Sequence, residues 1–190
     1  MKYIAYTCPD YNIDIYKLVD HLTAKANTDA EKVAAFYFWI AFNITYDTEF
    51  LEKGINVNED YYFVLKNRKT ICGGYAGLFE ELCYLADIDC EIIVGEAYTE
   101  YEGRPNTEMH LWNVVKIDNE WKLIDVCWAS GYITELGGEF HFVKKKTDIY
   151  LFAKPDELIK THFPNDVHWQ LLKKPLTKDE FLILNNLKLN

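Results

Sequence analysis

Apolar residues recur at helical spacing through the first half of the chain and at strand-like alternation in the stretch that follows. Ile15, Leu18, Val19 and Leu22 fall at i, i+3, i+4 and i+7, which predicts a short amphipathic helix closed by Asn27. Thr28-Asp29-Ala30-Glu31 has the form of a capping box and opens a helix over Asp29–Asn43. Its bulk, from Phe36 to Ile40, makes it a core element. The run Val33 to Ile44 is apolar nearly all round but too short to span a bilayer. Residues 48–57 read as a polar loop with Gly54, and Glu59–Lys66 as a further short helix. Cys72, Ala76, Phe79, Cys83 and Ala86 then fall at i, i+4, i+7, i+11 and i+14, one apolar face of a helix that Thr70 would cap. That puts Cys72 in the first helical turn.

Past this helix the pattern changes. Cys90–Tyr98 is β-rich, Thr99–Glu108 carries Gly103, Pro105 and several glutamates and reads as an exposed loop, and Met109–Ile117 and Glu120–Val126 are strands joined by Asp118-Asn119. A two-residue turn pairs residues whose numbers sum to 117 + 120 = 237, so Val114 would face Leu123, Trp112 would face Asp125 and His110 would face Cys127. Opposed residues share a sheet face, so His110 and Asp125 become diagonal neighbours on one face, roughly 7–8 Å apart at the backbone. A carboxylate and an imidazole can close that gap, and the helix that Cys72 starts is expected to pack on that same face. Further on, Pro155 suits the first position of a helix, and Thr177-Lys178-Asp179-Glu180 is a second capping box.

Composition narrows the class. The 190 residues are 49% hydrophobic and 16% aromatic, which excludes a disordered chain and gives one domain, 1–190, a sizeable core. The formal net charge of −10, with no basic cluster beyond Lys144-Lys145-Lys146, argues against a nucleic acid or an anionic membrane as partner. Five cysteines without zinc-type spacing point to reduced thiols, and the N-terminus lacks a signal-peptide core, so a cytoplasmic location is expected. Asn43-Ile44-Thr45 matches a glycosylation sequon, read as chance in that context. Residues 1–13 show no clear period. Cys83 reads as a small buried hydrophobe, Cys127 as core or site lining, and His162 as a structural residue of the C-terminal stretch, with a place facing the cleft as the lesser alternative.

Cys72, His110 and Asp125 have complementary chemistry. At a helix start, free N–H groups and the macrodipole favour a thiolate. The imidazole can take up a proton and return it to a leaving group, while the carboxylate fixes its tautomer. The backbone N–H of Cys72 is a ready oxyanion donor. Gly73 and Gly74 are poor first-turn residues, which implies that something comes close to the backbone there. No cofactor and no metal are expected.

The order Trp39-Ile40…Asn43-Ile44-Thr45-Tyr46-Asp47, Thr70-Ile71-Cys72-Gly73-Gly74-Tyr75, His110-Leu111-Trp112-Asn113 and Trp121-Lys122-Leu123-Ile124-Asp125 resembles the transglutaminase-like superfamily over about residues 29–130. The later stretches Tyr150-Leu151-Phe152, Pro155-Asp156-Glu157, His162-Phe163-Pro164 and Trp169-Gln170-Leu171-Leu172 look like its kyphoscoliosis-peptidase branch, with 131–190 a family-specific extension. The resemblance implies a papain-like α+β fold, the cysteine helix packed on an antiparallel sheet carrying His and Asp. It implies Cys72 as nucleophile, His110 as base and Asp125 as orienting acid, with Tyr46, Gly73 and Trp112 as oxyanion or cleft candidates; aromatic core is the alternative for Tyr46 and Trp112. The activities it brings are peptide hydrolysis, protein cross-linking or deamidation on a protein or peptide substrate, or a non-catalytic interaction domain. Gly73-Gly74 stands where many transglutaminases have a tryptophan beside the cysteine, which weakens the cross-linking reading.

Overall fold

A computed structural model describes residues 2, 5, 14–54, 57–101 and 104–186, with the side chains of 101 and 104 outside the description. The aperiodic stretch 1–13 therefore lies outside the described residues apart from Lys2 and Ala5. Helix α1 (Ile15–Thr23) buries Ile15, Leu18, Val19 and Leu22, the four residues that set its period. Helix α2 (Asp29–Asn43) is capped by Thr28, whose side chain accepts the Glu31 N–H. Glu31 reaches back one residue further than a capping box requires, to the N–H of Asn27.

The loop expected over 48–57 contains a short helix, α3 (Glu49–Lys53), stopped by Gly54 in the left-handed conformation. Helix α4 (Tyr61–Asn67) follows. Two short strands, β1 (Thr45–Tyr46) and β2 (Lys69–Thr70), pair in parallel with Tyr46 opposite Thr70. This pairing ties the end of α2 to the start of α5 (Cys72–Leu85), the cysteine helix. Ile71, not Thr70, is the N-cap of α5, and no side chain of the cap residue bonds the first turn.

The main sheet holds β3 (Cys90–Tyr101), β4 (Arg104–Ile117), β5 (Glu120–Ile124), β8 (Leu151–Ala153) and β9 (His162–Pro164) in the order β8-β5-β4-β3-β9, each pair antiparallel. The expected loop Thr99–Glu108 is instead the tip of a long β3–β4 hairpin, with Thr99 opposite Asn106. Its glutamates and proline weaken the local strand signal, and continuous pairing with the neighbouring strand overrides it. Between β5 and β8 lie α6 (Val126–Ser130) and a separate hairpin of β6 (Gly131–Leu136) with β7 (Glu139–Lys144). Helix α7 (Pro155–Leu158) starts on its proline, and α8 (Lys178–Leu184) has both bonds of the Thr177–Glu180 capping box.

The sheet separates two apolar clusters. On one side Val115, Ile117 and Ile124 pack with α1, α2 and the Tyr75, Phe79 and Leu82 side chains of α5. On the other, Trp112, Val114, Leu123 and Ile93 pack with Ala153 and Leu158. The alternation along β4 follows the period of a strand, odd numbers towards α5 and even numbers away.

Candidate active site

The β4–β5 register obeys the sum of 237 for five pairs, from Ile117 opposite Glu120 to Asn113 opposite Ile124. There it stops. The strand expected to run to Val126 ends at Ile124, and Asp125 becomes the N-cap of α6, its Oδ1 accepting the Trp128 N–H at 2.9 Å. The expected cross-strand pairs of Trp112 with Asp125 and His110 with Cys127 therefore do not form. Asp125 still points to the face that carries His110, and its Oδ2 lies 2.8 Å from His110 Nε2.

The cysteine arrives by a route other than the expected one. Helix α5 packs on the odd-numbered face of β4, where the Asn113 amide donates to the Ala76 carbonyl. His110 belongs to the even-numbered face and stacks on Trp112. The expectation of one shared face is thus corrected. Because β5 ends at Ile124, the β5-side edge of β4 is open beyond Asn113, and the N-terminus of α5 meets His110 past the end of that strand. Cys72 lies near enough to the His110 side chain to bear on its charge, and the two line one cleft.

Burial and two neighbouring groups act on the His110 charge. Burial lowers its pKa, but the Asp125 charge and hydrogen bond, with Cys72, outweigh burial and push it up to about 9. Asp125 is fully buried, which would raise its pKa. The two imidazoles that bond it nevertheless hold the carboxyl below its ordinary range. An ionised carboxylate only accepts, so Nε2 of His110 carries the proton and Nδ1 is left for the sulfur.

The second imidazole is His162, read in the sequence as structural. It comes from β9, is 1% exposed, and its Nε2 lies 2.9 Å from the same Asp125 Oδ2. Its spacing from the other site residues carries no motif; the only sequence signal was its place in His162-Phe163-Pro164. Its ring also packs edge-on to Trp112 and Trp128. His110, Asp125 and His162 bring three possible ligand atoms within 4.8 Å of one another. Both imidazole N–H groups there are already spent on the carboxylate, and a cation would have to displace both. Hydrogen bonding is the reading this geometry favours.

A cleft of about 950 Å³ opens over Cys72 and His110, lined also by Tyr46, Cys127, Trp128 and Tyr150. Tyr46 reaches it through the β1–β2 pairing. Burial and then the nearby cysteines raise its pKa, so its hydroxyl keeps its proton and can donate. Trp112, the other aromatic candidate, is 2% exposed and lies behind the histidines in the second core cluster, away from the cleft lining. Gly73 does not line the cleft either. The close neighbours implied by the two glycines are internal: a Cβ on Gly73 would overlap the Glu59 carboxylate, and one on Gly74 the Thr70 hydroxyl. Burial raises the Glu59 pKa, and the nearby Gly74 N–H offsets this in part. The N–H of Cys72, in the first turn, has no carbonyl one helical turn behind it. Cys83 is buried, as its place in the helix pattern implied, and Cys127 is both buried and part of the cleft wall.

The fold is papain-like, an α+β domain with a helix-start cysteine beside a strand histidine. The chain belongs to the transglutaminase-like superfamily, whose model matches residues 16–126. It is 33% identical over 169 residues to human kyphoscoliosis peptidase, an alignment covering 87% of this chain and 25% of that protein. It is 26% identical over 176 residues to the Lim and transglutaminase domain protein ltd-1 of Caenorhabditis elegans, covering 86% of this chain and 24% of that one. The chain thus spans about a quarter of the length of these relatives. Among solved structures, a candidate cysteine protease from Cytophaga hutchinsonii shares the fold, with a TM-score of 0.50 and 21% identity over 60% of this chain and 36% of that one. No helix among the described residues is long and apolar enough to cross a membrane.

Proposed function

We propose that this domain carries out cysteine-dependent acyl chemistry on peptide or amide bonds through a thioester, with water as the usual acceptor. The observation that carries the reading is the chain of contacts from Cys72 to His110 to Asp125, the last at 2.8 Å, opening on a cleft large enough for a peptide segment. With the imidazole pushed up to about 9, His110 is charged at neutral pH, and the mechanism uses the sulfur beside it as the nucleophile.

The sulfur attacks the scissile carbonyl carbon, and the negative charge that develops on oxygen is met by the Cys72 N–H and the Tyr46 hydroxyl. The C–N bond breaks as His110 Nδ1 gives its proton to the departing amine, leaving an acyl group on Cys72. His110, now neutral, takes a proton from water, which attacks the thioester and frees the acid and the thiolate. Asp125 stays ionised throughout and holds the ring in the tautomer these steps need. Similarity to a relative named as a peptidase supports water as the acceptor. An amine in its place would use every step up to the thioester.

The test is mass spectrometry of the protein after exposure to a peptide library, with and without amine donors. Wild type is expected to trap an acyl group on the peptide containing Cys72, and Cys72→Ala to trap none. Equal adducts on both proteins, or none on wild type with any donor, would overturn the reading.

A further inference from the structure

Asp125 receives three hydrogen bonds, and only one of them comes from the histidine that touches the cysteine. The carboxylate is fully buried, so whatever surrounds it decides where it points. Its Oδ1 is spent on the Trp128 N–H as a helix cap. Its Oδ2 accepts from His110 Nε2 at 2.8 Å and from His162 Nε2 at 2.9 Å. A carboxylate offers about four lone-pair sites, so three donors are accommodated without competing for one.

His162 is itself held in place. Burial lowers its pKa despite the adjacent carboxylate, so the ring is neutral at neutral pH. With Nε2–H given to Asp125, Nδ1 is an acceptor, and the Thr161 hydroxyl lies 2.8 Å from it. Thr161 is closer to this nitrogen than to the Leu158 carbonyl, at 3.3 Å. The tautomer is thereby fixed from the side away from the site. Strand β9 sets the ring's position by pairing with β3, His162 opposite Ala97.

From this geometry we infer that His162 is a positioning residue of the same site: it locks the Asp125 carboxylate in the orientation that accepts the His110 N–H, and through it aims His110 at Cys72. The inference deepens the reading given under Proposed function. It makes the segment after the 16–126 family match a working part of the site, because the fourth member of the constellation comes from residue 162. The titratable groups packed on His110 come from three elements: Cys72 at the start of α5, Asp125 at the start of α6, and His162 from β9. His110 itself lies on β4. His162 bears on the cysteine only indirectly, by its hydrogen bond to the Asp125 carboxylate and its edge contact with the His110 ring.

The experiment needs no substrate. Nitrogen-15 NMR of labelled histidine rings reads the tautomer and titration midpoint of His110, and iodoacetamide reads the reactivity of Cys72. His162→Leu removes the donor, and its His110 midpoint is expected to fall by about one pH unit as the carboxylate loses its fixed orientation. Cys72 alkylation at neutral pH is expected to slow about tenfold. His162→Gln, whose amide can place an N–H near the same point, is expected to restore both to within about threefold. In the Asp125→Asn protein the His162→Leu change is expected to add less than about twofold, since the residue it acts through is already disabled.

A His110 midpoint unchanged in His162→Leu, a Gln variant no better than Leu, or the same loss in both backgrounds would each overturn the proposal and leave His162 as packing. If the Leu side chain prevents folding, Thr161→Val removes the hydroxyl that fixes the ring and carries the test with the same sign and a smaller size. Because none of these readouts requires turnover, a domain that acts on no peptide would still show the His162 effect. In that outcome the positioning role stands and the peptide reading falls.

Discussion

The β4–β5 hairpin and the six residues that follow it are neighbours in sequence and obey different rules. From Ile117–Glu120 to Asn113–Ile124 the pairing is regular, the side chains alternate faces, and the turn sits where two left-handed residues are needed. From Asp125 the strand gives way to a helix cap, the ladder stops, and the Asp125 carboxylate, besides capping the helix locally, is bonded by histidines distant in sequence. The first region is built by local pairing rules. The second is built by what that pairing leaves open: a free edge of β4 through which the N-terminus of α5 reaches a histidine on the opposite face. The candidate chemistry sits where regularity ends, because only there can groups from a helix start, a strand, a cap and a remote strand converge.

The sharpest way to break this contrast is to change Asp125 without disturbing its capping role. Asn is as good a cap as Asp, so Asp125→Asn is expected to keep α6. It removes the charge that holds His110 in the required tautomer, and it turns an amide N–H₂ towards two imidazole N–H groups. Turnover is expected to fall about 10⁴-fold, read as kcat on the peptide that acylates wild type, with far-ultraviolet circular dichroism unchanged. If kcat falls less than about tenfold, Asp125 is a structural cap and the two regions do not differ in the way argued here.

The next largest effect is on stability against pH. His110 is pushed above its unfolded value of roughly 6.5, to about 9. The folded state therefore binds more protons across that window. The stabilisation is present in full below about 6.5 and is lost as pH rises through about 9, on the order of 3 kcal/mol in all. Lys144, held to about 8 by burial and then by the Lys146 charge, titrates in the same window with the opposite sign. Comparing urea unfolding of wild type with His110→Gln from pH 6 to 9.5 cancels that contribution. Wild type is expected to lose stability more steeply with pH than the variant. Parallel curves would mean that the folded state does not raise the His110 midpoint above its unfolded value.

How much of this was legible follows the same division. Helix α1 was readable because its apolar positions repeat every three to four residues and are the ones buried; α2 was readable from its capping box and apolar bulk, and α5 from an apolar face whose Cys72, Ala76, Phe79 and Cys83 are buried. The hairpin register was readable because a two-residue turn leaves no freedom. Faces were readable only while the ladder lasted. The contact of His110 with Asp125 could be anticipated from parity, but the side on which α5 packs could not. Parity says which residues share a face and nothing about which helix covers it. His162 was invisible for a related reason: β9 is three residues long, and its place beside β3 is set by a chain reversal with no sequence period. The glycines after Cys72 did announce a close approach, though not that Glu59 and Thr70 would supply it.

The smallest effect probes the regular region alone. Asp118 and Asn119 have φ of 51° and 63°, both left-handed, which is the type I′ turn that matches the twist of two paired strands. Asn tolerates this conformation better than any residue but Gly, and Ala does so poorly. Asn119→Ala is expected to lower stability by about 1 kcal/mol, and Asn119→Gly to leave it within a few tenths, both read from the urea midpoint at constant m-value. The turn lies seven residues along β4 from His110, roughly 23 Å of strand. A change that only strains the turn weakens the folded state without moving the site, so the Cys72 alkylation rate is expected to stay within about twofold of wild type in both variants. A hairpin mutation that altered this rate more strongly while the protein remained folded would show that the register is transmitted past Ile124, and that the site depends on the ladder as well as on its end.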